Sequence, residues 1–208
     1  MKIFHSLCIG DSYTIGEGVP LHEGFPYQLT QLLRNKGYKF AAPEIVAKTG
    51  WTSFELLEHL NSIRLNEKYD FVTLLIGVNN QYRNLSSEEF KNDFEILLKK
   101  AIHFADGNLN NVIVLSIPDW GVTPFAKERD ATQIASEIDT FNGVCELAAQ
   151  KFQVNYLAVT DDTRKAISDA TLLTNDGLHY SGKEHSIWAV KVCNIILNNL
   201  KNTSATSL

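Results

Sequence analysis

The chain has 208 residues, 44% of them hydrophobic and 21% charged, which fits one ordinary globular domain and excludes a disordered, highly charged polymer. Its 19 basic and 24 acidic residues leave a net charge of -5 with no basic stripe, so nucleic acid gains no attraction and is set aside as a partner. Cys8, Cys145 and Cys193 lack the close pairing of a disulfide framework or a zinc site, and core packing is expected for all three.

The first predicted element is a strand over Ile3 to Ile9, whose apolar residues are too few and too interrupted to be a signal-peptide core. No later run reaches the roughly 18 to 20 apolar residues that span a bilayer, so a cytoplasmic protein without a membrane span is expected. A helix over Tyr27 to Asn35, stopped by Gly37, leads to a second strand over Glu44 to Lys48 and a helix over Ser53 to Ile63. The third strand, Phe71 to Ile76, is followed by a helix over Ser87 to Phe104 that Ser86 and Ser87 can cap through their hydroxyls. Then come a strand over Val112 to Ile117, a helix over Ala131 to Phe152, a strand over Val154 to Val159 and a helix over Ser181 to Leu200.

Phe71 to Ile76 and Val112 to Leu115 are nearly continuous apolar runs, the pattern of parallel strands covered on both faces. Neither repeat nor linker interrupts the βα alternation. Residues 1 to 201 are therefore expected to form one three-layer α/β/α domain around a five-stranded parallel sheet, with 202 to 208 a frayed tail. Ligands of such sheets bind beyond the carboxyl ends of the strands, where the strand order reverses.

The residues just after the strands are the ones that carry chemistry. Ser12, in Gly10-Asp11-Ser12 after the first strand, is a nucleophile candidate, although an Asp-Ser pair taken singly reads as a turn. Gly50 after the second strand can present a backbone N–H, and Asn79 after the third a side-chain amide, both neutral donors suited to an oxyanion. Near the end of the chain Asp176 precedes His179 by three positions in a turn-forming segment, a spacing that lets the carboxylate hold one ring nitrogen while the other takes a proton. Trp51, Tyr82, Trp120 and Phe125 lie on the same strand-end loops and either wall a pocket or cover the edge of the core. Arg83 is expected to pair with a surface carboxylate. His5, His22, His59, His103 and His185 show no metal-ligand spacing, so no metal is assigned. His185, assigned to a surface turn, is a second choice for a base.

Through Gly10-Asp11-Ser12, Gly50, Gly77-Val78-Asn79 and Asp176-Gly177-Leu178-His179, in that order, the chain resembles the Ser-Gly-Asn-His (SGNH) hydrolases, the GDSL esterase and lipase superfamily. The resemblance implies a flavodoxin-like sheet, acylation of Ser12, a triad completed by His179 and Asp176, and an oxyanion hole of the Ser12 N–H, the Gly50 N–H and the Asn79 amide. No cofactor is expected, and with no signal-like segment or evident apolar membrane patch in the sequence a small soluble acyl or acetyl ester is the expected substrate, with lysophospholipids and acyl thioesters as alternatives. Three positions depart from the family pattern: Tyr13 stands for leucine, Asn80 for aspartate and Tyr180 for proline. Asn80 puts in question how the Asn79 loop is braced, because an amide lacks the carboxylate's charge-assisted hydrogen bonds. A reading of another class, a flavodoxin-like module binding phosphate or flavin, employs Ser12 and Thr14 but leaves Asp176 and His179 idle and lacks the P-loop lysine. A catalytically silent relative would likewise leave those residues unused.

Overall fold

All five apolar runs become parallel strands in the computed structural model, which describes residues 2 to 205: β1 (Ser6–Gly10), β2 (Glu44–Ala47), β3 (Phe71–Leu75), β4 (Val112–Leu115) and β5 (Asn155–Leu157). They form one sheet in the order β2-β1-β3-β4-β5. The long helices are α2 (Phe25–Asn35), α3 (Ser53–Ser62), α5 (Ser87–Phe104) and α6 (Ala131–Phe152) between the strands, and α8 (Gly182–Ala205) after the last of them. Helices α2 and α8 pack together on one face of the sheet, and α3, α5 and α6 pack on the other, as right-handed crossovers in this strand order require. Val72, Leu74, Val112 and Val114 are fully buried between the layers, and that two-sided burial is why their segments read as continuous apolar runs.

Three further helices, α1 (Ser12–Ile15), α4 (Val78–Tyr82) and α7 (Thr160–Thr163), are each about one turn long, too short for hydrophobic periodicity to reveal. The first strand also starts later than expected. Phe4 leaves the sheet to form an isolated parallel bridge with Phe40, its ring stacked on that partner at 5.1 Å. Helix α8 continues to Ala205, beyond the expected end at Leu200, and residues 206 to 208 of the expected tail lie outside the described residues. Cys8, Cys145 and Cys193 are free and buried in the core.

Because β2 lies to one side of β1 and β3 to the other, the strand order reverses between β1 and β3. Gly10 stands in register with Ala47 on one side and Leu75 on the other, so the three chain segments leave the sheet at one level. The segment after β3 turns sharply at Gly77, with φ at +131°; a Cβ there would lie 2.6 Å from Ile117 Cδ1 and 2.8 Å from the Phe90 ring. Only glycine fits that approach, and it lets α4 start directly above the crevice. Among the described residues no helix is long and apolar enough to cross a membrane.

Candidate active site

Asp11 is the N-cap of α1, its side chain accepting a hydrogen bond from the Tyr13 N–H at 3.1 Å. The cap turns the chain abruptly after β1 and sets Ser12 at the start of the helix, on the wall of a cleft of about 540 Å³ measured to its open mouth. Asp11 itself is fully buried and its Oδ2 has no partner; burial pushes the carboxyl up to about 7.

Two arms bring the neutral donors to the same cleft. Gly50, at φ +83°, lies in the turn between β2 and α3, and its carbonyl is held by the Arg83 guanidinium, which also meets Glu55 at 3.4 Å, the surface pairing expected for Arg83. Asn79 is on α4, and its side-chain N–H donates to the Trp51 carbonyl at 2.9 Å, tying one arm to the other. Next to it the buried Asn80 accepts from the Ser53 N–H at 2.9 Å and donates to Ser53 Oγ at 2.8 Å. Ser12, Gly50, Asn79 and His179 all line the one cleft.

Asp176 and His179 sit on a turn closed by the Thr174 N–H donating to the His179 carbonyl at 2.8 Å. Asp176 Oδ1 accepts from Thr174 Oγ1 and from the N–H groups of Leu178 and His179, at 2.7, 2.8 and 2.9 Å. Its Oδ2 faces His179 Nδ1 at 2.7 Å. Burial alone would push the Asp176 carboxyl up, but the hydrogen bonds from His179, Thr174 and the two backbone N–H groups outweigh it and hold the group well below the usual carboxylate range. The charged carboxylate thus fixes the Nδ1–H tautomer of His179 and leaves Nε2 as the ring's basic site. Two family departures pack beside the imidazole: Tyr13 meets His179 edge-on at 5.8 Å, and Tyr180 lies against Tyr13 at 5.7 Å while its hydroxyl donates to the Asp119 carbonyl at 2.8 Å.

Tyr82, Trp120 and Phe125 complete the lining, their ring centroids 5.3 to 6.2 Å apart. Trp120 is 4% exposed and donates its indole N–H to Gln81, whereas Tyr82 and Phe125 are 42% and 47% exposed. The loop that carries Trp120 and Phe125 is clasped to the histidine turn, the Phe125 N–H donating to the Gly177 carbonyl at 3.0 Å. Trp51, expected beside these rings, does not line the cleft: its ring packs on His59 at 4.7 Å, and its carbonyl serves Asn79. Among the described residues no cluster of three or more His, Cys, Asp or Glu is placed to hold a metal ion.

His185 corrects an expectation. It lies inside α8 rather than on a surface turn, 1% exposed, with Nδ1 accepting from the Phe25 N–H at 3.3 Å and its ring against Trp188 at 4.8 Å. Burial, with some help from the charge of His179, pushes it down to about 3. The unfolded chain takes up this proton near the ordinary 6.5 and the folded chain does not, so His185 makes stability fall as pH drops from 6.5 toward 3. Asp11, raised from 3.8 to about 7, has the opposite slope, adding stability below 3.8 that is lost as pH rises toward 7. His185→Gln keeps an acceptor for Phe25 and removes the proton site, so urea unfolding at pH 6.5 and 4.5 should show the variant losing less stability on acidification than the parent. Equal losses in the two proteins would refute this account of His185.

The GDSL-like lipase/acylhydrolase family model matches residues 8–187. A search of curated proteins finds no match. Among solved structures the chain is similar to the psychrotrophic esterase EstA from Pseudoalteromonas sp., at 16% identity and a TM-score of 0.72, covering 95% of this chain and 98% of that one. It is also similar to the lipase/acylhydrolase from Enterococcus faecalis, at 21% identity and 0.71, covering 94% and 96%. A third is Axe2, an acetylxylan esterase from Geobacillus stearothermophilus, at 18% and 0.73, covering 93% and 94%. Likeness at these identities concerns the fold.

Proposed function

Because the chain belongs to the GDSL-like lipase/acylhydrolase family of ester-bond hydrolases, we propose that it is a serine esterase acting on small, uncharged acyl esters, with Ser12 as nucleophile, His179 as general base and Asp176 as its orienting carboxylate. The observation that carries this reading is that Ser12 and His179, 167 positions apart in sequence (179 minus 12), line one cleft, with Asp176 paired to the imidazole Nδ1 at 2.7 Å.

A serine hydroxyl is a poor nucleophile at neutral pH, so His179 Nε2 takes the Ser12 proton as Oγ bonds to the acyl carbon. The carbonyl oxygen becomes an oxyanion that the Ser12 and Gly50 N–H groups and the Asn79 amide stabilise without waiting for solvent to reorganise. Collapse breaks the bond to the alcohol, which leaves with the proton from His179. Water then enters by the same route, gives its proton to His179 and releases the acid, returning the proton to Ser12. Asp176 holds the imidazolium throughout and stays ionised, in keeping with its lowered pKa.

The lining supports the choice of substrate. None of its eleven residues is Asp, Glu, Lys or Arg, so the cleft offers no cation for a phosphate headgroup and no anion for a cationic alcohol. Tyr13, Tyr82, Trp120 and Phe125, with Val78 and Leu178, supply apolar area for a short acyl or ring-bearing group. A chain-length series of p-nitrophenyl esters, run beside an acetylated sugar and a lysophospholipid, tests it. The highest kcat/KM is expected at acetate to butyrate, and rates that peak on long chains or on the lysophospholipid would overturn the small-ester reading.

A further inference from the structure

The bridge between the two donor arms extends past Asn80 to a third element. The Ser53 N–H points at Asn80 at 2.9 Å and can only donate, so the atom receiving it is the amide oxygen, and the other end of the same side chain is the amide nitrogen. That nitrogen lies 2.8 Å from Ser53 Oγ and must donate to it. Ser53 Oγ therefore sends its own hydrogen elsewhere, to Asp93 Oδ2 on α5 at 2.8 Å. The chain runs Asn80 Nδ2–H to Ser53 Oγ–H to the Asp93 carboxylate.

Where the family usually carries aspartate, a carboxylate at position 80 would accept both the N–H and the hydroxyl of Ser53 and need nothing further. The amide reverses the hydroxyl, and the reversed hydroxyl requires an acceptor beyond it. We propose that Asp93 supplies from α5 the charge that Asn80 lacks, and that Asn80, Ser53 and Asp93 are positioning residues holding the Gly50 arm and the Asn79 arm at the spacing an oxyanion needs. This rests on the reading of Gly50 and Asn79 as oxyanion donors. Ser53 opens α3 immediately after the Gly50 turn and Asn80 follows Asn79, so a shift at Ser53 opens the distance between the two donors.

A charge exchange tests the bridge in the full-length chain. Asn80→Asp leaves two carboxylates facing one hydroxyl hydrogen and is expected to lower kcat on p-nitrophenyl acetate about 10- to 100-fold, below the ceiling of about 10² to 10³ expected for Asn79→Ala, which removes a donor outright. KM should stay within about threefold, because the arms act on the transition state. Adding Asp93→Asn to Asn80→Asp reverses the whole chain: the amide at 93 donates to Ser53 Oγ, which donates to the carboxylate at 80. That pair should recover kcat to within about threefold of the parent, a coupling that two independent sites would not give. A double variant as slow as Asn80→Asp, or an Asn80→Asp with undiminished kcat, overturns the proposal. If Asn80→Asp does not fold, Ser53→Ala replaces it, with kcat expected to fall about tenfold at constant KM; an unchanged kcat is equally fatal. Should Ser12→Ala retain activity, the reading of the site fails first; an inactive Ser12→Ala with no rescue fails the bridge alone.

Discussion

Ser12→Ala is expected to lower kcat on p-nitrophenyl acetate by about four to six orders of magnitude while leaving the thermal unfolding midpoint within a few degrees of the parent, by analogy with other serine triads. The size follows from what remains. With no oxygen to attack the carbonyl, only the donors and the bound position of the ester are left to assist water, and such sites retain about 10³ to 10⁴ over the uncatalysed rate. Stability should barely change because the turn is capped by Asp11 and closed by backbone bonds to the Asp11 and Ser12 carbonyls, all of which alanine keeps. A fluorophosphonate probe should label the parent at Ser12 and leave the variant unlabelled. Hydrolysis retained by the purified variant would remove Ser12 from the mechanism.

His179→Ala should be nearly as damaging, about four to six orders of magnitude in kcat, because the serine proton then has no acceptor in the cleft. The informative measurement is the double variant. Ser12 and His179 act as one unit if the proton leaves as the bond forms, so Ser12→Ala combined with His179→Ala should be no slower than either alone. Losses that multiply would mean two separate contributions and a different chemistry. The fully buried Asp11 beside Ser12 offers no substitute base: it is sealed from the cleft's solvent and its Oδ1 caps a helix at the Tyr13 N–H. His185 offers none either, being sealed under Phe25 and Trp188 on another helix.

Much of this was legible from residues alone, and the exceptions share a cause. Five β-rich runs and five long amphipathic stretches carry their own periodicity, so the sheet and its helical layers could be read, and α5 and α6 fall on their expected bounds. Ser12, Gly50, Asn79, Asp176 and His179 could be gathered because each follows a strand or a turn that the topology brings to one rim. What escaped reading depends on side-chain contacts that no periodicity announces. His185 and Glu184 look like solvated residues after Ser181-Gly182-Lys183, yet both are buried, because the Phe25 N–H lies over His185 and the Trp188 indole donates to Glu184 at 2.7 Å. The brace behind Asn80 spans 27 residues to Ser53 and 40 more to Asp93, with no local pattern to announce it. Trp51 was placed correctly along the chain but not in rotation, since its position just before the Thr52 cap of α3 turns the ring toward His59.

The clasp between the aromatic loop and the histidine turn limits how such an enzyme can acquire new specificities. Tyr180 grips the loop at Asp119 and Gly177 grips it at Phe125, so the aromatic rings of the cleft and the imidazole proposed as its base are mounted on one frame. Grafting a foreign loop between those anchor points would retune selectivity only if both clasps were rebuilt with it; otherwise the graft would alter turnover along with preference, and an engineer should diversify the exposed faces of Tyr82 and Phe125 before touching the backbone that bears them.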